Sequence, residues 1–126
     1  AACSEEYKSY CDEIVGNDAY ESSIAQADFV VGVLPKTGET EDFFNMDSTF
    51  SKMKPTSVFM NIGRGPTVKE EDLIVALQDG KIAGAVLDVF KKEPLPQDNP
   101  LWTMPNVLIT PHCAQQDKDF MSDCIF

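Results

Sequence analysis

The stretch SVFMNIGRGPTVKEEDLIVALQDGKIAGAVLDVF, residues 57–90, decides the fold. It opens on Ser57-Val58-Phe59-Met60-Asn61-Ile62 and closes on Gly84-Ala85-Val86-Leu87-Asp88-Val89-Phe90, short runs rich in β-branched and aromatic residues and apolar on both alternations. That pattern predicts strands buried on two faces of a parallel sheet. Between them, Glu70-Glu71-Asp72 places negative charge in the first turn of a segment whose Leu73, Ile74, Ala76 and Leu77 form an apolar stripe, and Gly80 supplies its stop. Strand, helix and strand joined by short connections imply a right-handed crossover between parallel neighbours.

Working outward, Phe29-Val30-Val31-Gly32-Val33-Leu34 repeats the buried-strand pattern upstream, and Val107-Leu108-Ile109-Thr110 closes the series downstream. Asp47 or Ser48 is expected to cap a short helix before Phe50 and Met53. Ser22 to Ala27 reads as a further short helix with Glu21 near its start, and Glu13-Ile14-Val15 as a fragment of an earlier strand. The prediction is an α/β fold: a doubly wound parallel sheet with flanking helices. From Lys91 to Asn106 there are four prolines and no helical or strand period, so this is a long ordered loop over the strand ends, the kind of loop that usually carries function.

At 126 residues and 43% hydrophobic content the chain can bury one core but is too short for a complete two-domain enzyme. Its net charge of −11 and pI near 4.3, with the basic residues scattered, argue against a nucleic-acid partner. No apolar run reaches the length of a membrane span and no signal-like start is present, so a cytoplasmic location is expected. Cys3, Cys11, Cys113 and Cys124 form no CxxC pair and have one histidine between them, which predicts neither a zinc site nor a disulfide framework.

Gly63-Arg64-Gly65 follows a strand but lacks the third glycine of a dinucleotide fingerprint, being followed by Pro66, Thr67 and Val68. The phosphate-cradling turn is therefore expected to lie outside these 126 residues. Ligands of open parallel sheets sit beyond the carboxyl ends of the strands, which singles out the residues there. Arg64, between two glycines, offers a planar fork that suits a carboxylate in two-point contact; the alternative is a surface ion pair. His112 follows a strand, and Glu93 lies in the proline-rich loop where a carboxylate could meet the imidazole. Such a pair fixes the tautomer and gives an acid able to protonate a carbonyl oxygen, or in reverse a base. Asp88, within an apolar strand, needs donors, which either an amide such as a nicotinamide carboxamide or the backbone of the following loop could provide.

These residues stand in an ordered series. Ala27-Asp28-Phe29-Val30-Val31 with Leu34-Pro35 and Glu39-Thr40, then Met53-Lys54 and Asn61-Ile62-Gly63-Arg64-Gly65, then Leu87-Asp88-Val89-Phe90, Glu93-Pro94-Leu95-Pro96, Pro100-Leu101-Trp102, Pro105-Asn106-Val107 and Thr110-Pro111-His112 follow one another from Ala27 to Ala114. The series resembles the second half of the nucleotide-binding domain of the D-isomer-specific 2-hydroxyacid dehydrogenases, and looks most like the glyoxylate and hydroxypyruvate reductase branch. Lys36 and Gly38 depart from that family's pattern.

The resemblance implies a partial Rossmann-type NAD(P)-binding domain over residues 1–126, without the glycine-rich turn and without the substrate domain. It implies hydride transfer between NAD or NADP and a small 2-oxo acid, with Arg64 anchoring the substrate, His112 as acid and base, and Glu93 orienting it. Leu34, Pro35, Thr40, Ile62, Gly63, Arg64 and Asp88 are implied on the cofactor side, Asp88 at the nicotinamide carboxamide. A homodimer is implied for the full-length protein, and near inactivity for this piece alone. Two other readings stay open: a cofactor-sensing corepressor of the same family, which keeps the same Arg, Glu and His, and an inactive truncated domain.

Overall fold

The structure, a computed structural model, describes residues 10–16 and 19–114. The order is α1 (Tyr20–Ile24), β1 (Phe29–Gly32), a π-helical turn (Met46–Phe50), β2 (Val58–Asn61), a 3-10 turn (Gly65–Thr67), α2 (Glu70–Gln78), β3 (Gly84–Leu87), a second 3-10 turn (Pro100–Thr103) and β4 (Val107–Ile109). The four strands form one parallel sheet in the order β1-β2-β3-β4. The α/β class expected from the sequence is therefore the observed one, a parallel sheet with flanking helices.

Burial on two faces is corrected. Val30, Phe59 and Ala85 lie in register and are buried, whereas the next row, Val31, Met60, Val86 and Leu108, is partly or well exposed. Phe29, Val31, Val33, Ile62 and Leu108 are among the exposed large apolar side chains. The reason is topological. Right-handed crossovers in a strand order that never reverses all land on the same face. Double winding needs a reversal, and the described residues contain none.

On the covered face, Phe50, Phe59, Leu73, Ile82 and Leu101 are fully buried, each contributing about 1.5–3 kcal/mol of apolar transfer. An aromatic chain runs Tyr20–Phe43–Phe44–Phe59–Phe50 with ring centroids 5.2–5.3 Å apart. α2 has no side-chain cap, but its acidic first turn complements the helix dipole, and Asp72 reaches across to accept from the Met46 amide at 2.9 Å. Its end is marked by Gly80 at φ +65°.

Three local expectations are revised. Asn45, the last extended residue, caps the Met46–Phe50 turn by accepting from the Ser48 amide at 3.0 Å; neither Asp47 nor Ser48 does so. The upstream helix starts at Tyr20 and ends at Ile24 rather than running to Ala27. Among the described residues, Glu13-Ile14-Val15 is exposed and pairs with no strand. Cys11 and Cys113 are free thiols; Cys3 and Cys124 lie outside the described residues.

Candidate active site

Three strand ends and the proline-rich loop build the site. After β3 the chain passes through Asp88 and Phe90 to Glu93, whose peptide to Pro94 is cis. Glu93 divides its carboxylate: Oε1 accepts from the Phe90 amide at 2.9 Å, and Oε2 meets His112 Nδ1 at 2.8 Å. One carboxylate thus closes its own loop and fixes the imidazole through Nδ1, with no partner for Nε2 among the described residues. Burial works to raise the Glu93 carboxyl, but the Phe90 amide and then His112 outweigh it and hold the group below its usual range.

His112 has φ +54°, a left-handed conformation that costs a residue with a Cβ about 1–2 kcal/mol. Asp88 offsets that cost. Its Oδ1 accepts from Thr110 Oγ1 and from the Cys113 amide at 2.8 Å, and its Oδ2 accepts from the Ala114 amide at 2.9 Å. The donors lie two residues before His112 and on the two residues after it, so a buried carboxylate, 2% exposed, grips the turn on both sides of the imidazole. The donors Asp88 finds within the chain are the Thr110 hydroxyl and the Cys113 and Ala114 amides at the end of β4, not the backbone of the loop that follows β3. Burial pushes its carboxyl up; Thr110, Ala114 and Cys113 together bring it below the ordinary value.

Asp88, Glu93 and His112 share the wall of a cavity of about 560 Å³ with Thr110 and the apolar Leu95 and Trp102. Arg64 lies at the adjoining end of β2, exposed, with its guanidinium turned back so that Nη1 donates to the Gly63 carbonyl at 2.7 Å. The structure therefore brings Glu93, His112 and Asp88 together and leaves the Arg64 guanidinium outside that wall.

Its backbone is nonetheless fixed. The Arg64 carbonyl accepts from Asn61 Nδ2, Thr67 Oγ1 and the Thr67 amide, and Asn61 Oδ1 accepts from the Gly63 amide. The flanking glycines serve the protein's own packing. A Cβ on Gly63 would lie 2.9 Å from the Val33-Leu34 backbone, and one on Gly65 would lie 1.9 Å from the Phe90 carbonyl. The Arg64 loop is thus wedged between the Leu34-Pro35 strand end and the root of the Glu93 loop.

Leu34 packs on the core, while Pro35 and Ile62 are exposed beside it. Thr40 Oγ1 donates to the Pro35 carbonyl at 2.6 Å and accepts from the Thr37 amide at 2.8 Å, closing the 35–40 turn despite Gly38. Sequence reading missed Asn61, Thr110 and Trp102. A signal existed for Asn61: a polar side chain inside an apolar run must find partners, as Asp88 must.

A parallel sheet with its polar groups gathered at the carboxyl ends of the strands defines a Rossmann-type nucleotide-binding domain. Comparison with known proteins makes the assignment specific. Residues 4–114 match the family described as D-isomer specific 2-hydroxyacid dehydrogenase, NAD binding domain, and the chain belongs to that family. Over 103 residues it is 48% identical to glyoxylate/hydroxypyruvate reductase B of Escherichia fergusonii, covering 82% of this chain and 29% of that protein. It is 47% identical over 104 residues to a probable 2-ketogluconate reductase of Dictyostelium discoideum, covering 80% and 31%. A D-isomer specific 2-hydroxyacid dehydrogenase of Xanthobacter autotrophicus, solved with NADPH, superimposes with a TM-score of 0.77 at 44% identity, covering 81% of this chain and 42% of that one. The chain spans about a third of the length of the curated relatives it matches.

Proposed function

We propose that this chain is the second half of the NAD(P)-binding domain of an enzyme that interconverts a small 2-oxo acid and its D-2-hydroxy acid, with glyoxylate or hydroxypyruvate as the substrate class. The substrate domain and the phosphate-binding turn then belong to sequence beyond these residues, and the assembled enzyme is a cytoplasmic homodimer. The observation that carries the reading is the 2.8 Å contact between Glu93 and His112 on the wall of a mostly apolar cavity.

The residues present fit a nicotinamide cofactor. Asp88 lines the cavity, where its carboxylate would serve as acceptor for a carboxamide N–H. Pro35, Thr40, Ile62, Gly63 and Arg64 form the rim that would hold the rest, with Leu34 beneath it. When bound, the cofactor supplies the hydride of the reaction.

The chain's own residues do the rest. Protonated His112 donates from Nε2 to the carbonyl oxygen in the reducing direction and takes the proton back in the other, while Glu93 on Nδ1 holds the ring in place. Arg64 swings from the Gly63 carbonyl onto the substrate carboxylate, where its fork makes two parallel bonds.

Replacing His112 by Ala in the intact protein is expected to lower kcat by two or more orders of magnitude, with cofactor affinity nearly unchanged. Arg64→Lys is expected to lower kcat/KM steeply through KM, because an ammonium cannot reproduce the fork. Steady-state reduction of glyoxylate and hydroxypyruvate with NADH and NADPH measures both. Undiminished turnover without the imidazole removes the acid role, and cofactor binding without turnover in the wild type favours a corepressor-like sensor.

A further inference from the structure

The loop that carries Glu93 has few backbone bonds of its own, and side chains hold it. The Lys91 amide donates to Glu70 Oε1 at 2.6 Å, and Glu70 Oε2 accepts from Asn99 Nδ2 at 3.4 Å. The Lys91 ammonium reaches the other way, to Asp42 Oδ1 at 2.9 Å and Oδ2 at 3.3 Å. Asp42 stands two residues past Thr40, at φ +50°, and its amide donates to the Pro66 carbonyl at 3.0 Å. Asp42, with Glu71 and Glu41 nearby, holds the Lys91 ammonium above its usual range against the pull of partial burial. The neighbouring Phe90 amide is the one that anchors Glu93.

We propose that Lys91 is a positioning residue that ties the turn holding Pro35 and Thr40 to the loop holding Glu93, so that the cofactor side and the acid–base pair keep one relative placement. The inference rests on reading Glu93 and His112 as that pair. Lys91 is not among the residues that line the cavity. It acts through one peptide unit, since moving the Lys91 backbone moves the Phe90 amide on which Glu93 Oε1 is held.

The chain has a single tryptophan and a single histidine, and both lie on the cavity wall, so Trp102 emission and the His112 imidazole resonance report on the site without turnover. Lys91→Met keeps the alkyl stem and the amide bond to Glu70 but removes the ammonium. In this variant of the 126-residue chain both signals are expected to shift; Lys91→Arg is expected to restore them, and Lys81→Met to leave them as in the wild type. Asp42→Asn removes the bridge from its other end at a φ that asparagine tolerates, and is expected to give the same shift. In the intact protein, Lys91→Met is expected to lower kcat about two- to fivefold, the range an exposed ion pair can supply. That difference is expected to shrink at high salt, as screening weakens the pair in the wild type, and to vanish in a Glu93→Gln background. Unchanged Trp102 and His112 signals in both Lys91→Met and Asp42→Asn, or a loss of rate that adds fully to that of Glu93→Gln, overturns the proposal. If the wild type transfers no hydride, the functional reading fails instead, and the two spectroscopic signals still decide the tether.

Discussion

A carboxylate buried to 2% exposure must be matched by donors, and Asp88 finds them on the residues that orient His112. Replacing it by Asn keeps one oxygen but turns an amide group toward a backbone N–H, so Asp88→Asn is expected to destabilise the fold by about 2 kcal/mol, the scale of a lost charge-assisted bond. The pH dependence follows from the lowered carboxyls of Asp88 and Glu93. A group whose pKa is lower when folded than when unfolded contributes stability that is fully present above the unfolded value and is lost as pH falls through the folded one. The thermal midpoint is therefore expected to fall as pH drops below about 5, and Asp88→Asn to flatten part of that fall. Calorimetry of both proteins across the acid range tests it, and parallel curves would remove Asp88 as a source. At this scale the sequence singled out His112, Glu93 and Arg64 as candidates for the chemistry, and left two donor sets open for Asp88.

Between elements, contact is made by backbone on backbone. Gly65 lets the end of β2 lie against the Phe90 carbonyl, and in Gly65→Ala the added carbon must displace main chain rather than a side chain that can turn away. The expected cost is about 3 kcal/mol, the upper end of overpacking, with loss of the cavity wall. Urea denaturation gives the first, and the emission of Trp102 the second. The elements themselves were legible: apolar runs of four to seven residues marked the strands, and the acidic turn, apolar stripe and Gly80 marked α2. What periodicity could not supply was the Asn45 cap and the packing of Phe43 and Phe44, which lie between recognisable elements and gain their burial from contacts distant in sequence.

Among the described residues, the sheet is covered on one side. Phe29, Val31, Val33, Ile62 and Leu108 present an apolar surface to solvent, and surfaces of this kind drive association. The isolated chain is expected to bind a hydrophobic dye and to self-associate with concentration, and Val33→Thr with Leu108→Thr to reduce both while moving the thermal midpoint little. Sedimentation at several concentrations measures it; a monomer that binds no dye contradicts the exposed face. The sequence by itself determined the parallel α/β class and the order of strands and helix, and it singled out the residues proposed to do chemistry, because side-chain period and residue type are local properties. Tertiary structure alone decided which face of the sheet is covered, that Glu93 reaches His112, that Asp88 grips the turn around the imidazole, and that Lys91 bridges to Asp42. Each of these depends on distances between segments 19 to 49 residues apart, and such distances are set by crossovers and loop packing rather than by any pattern along the chain.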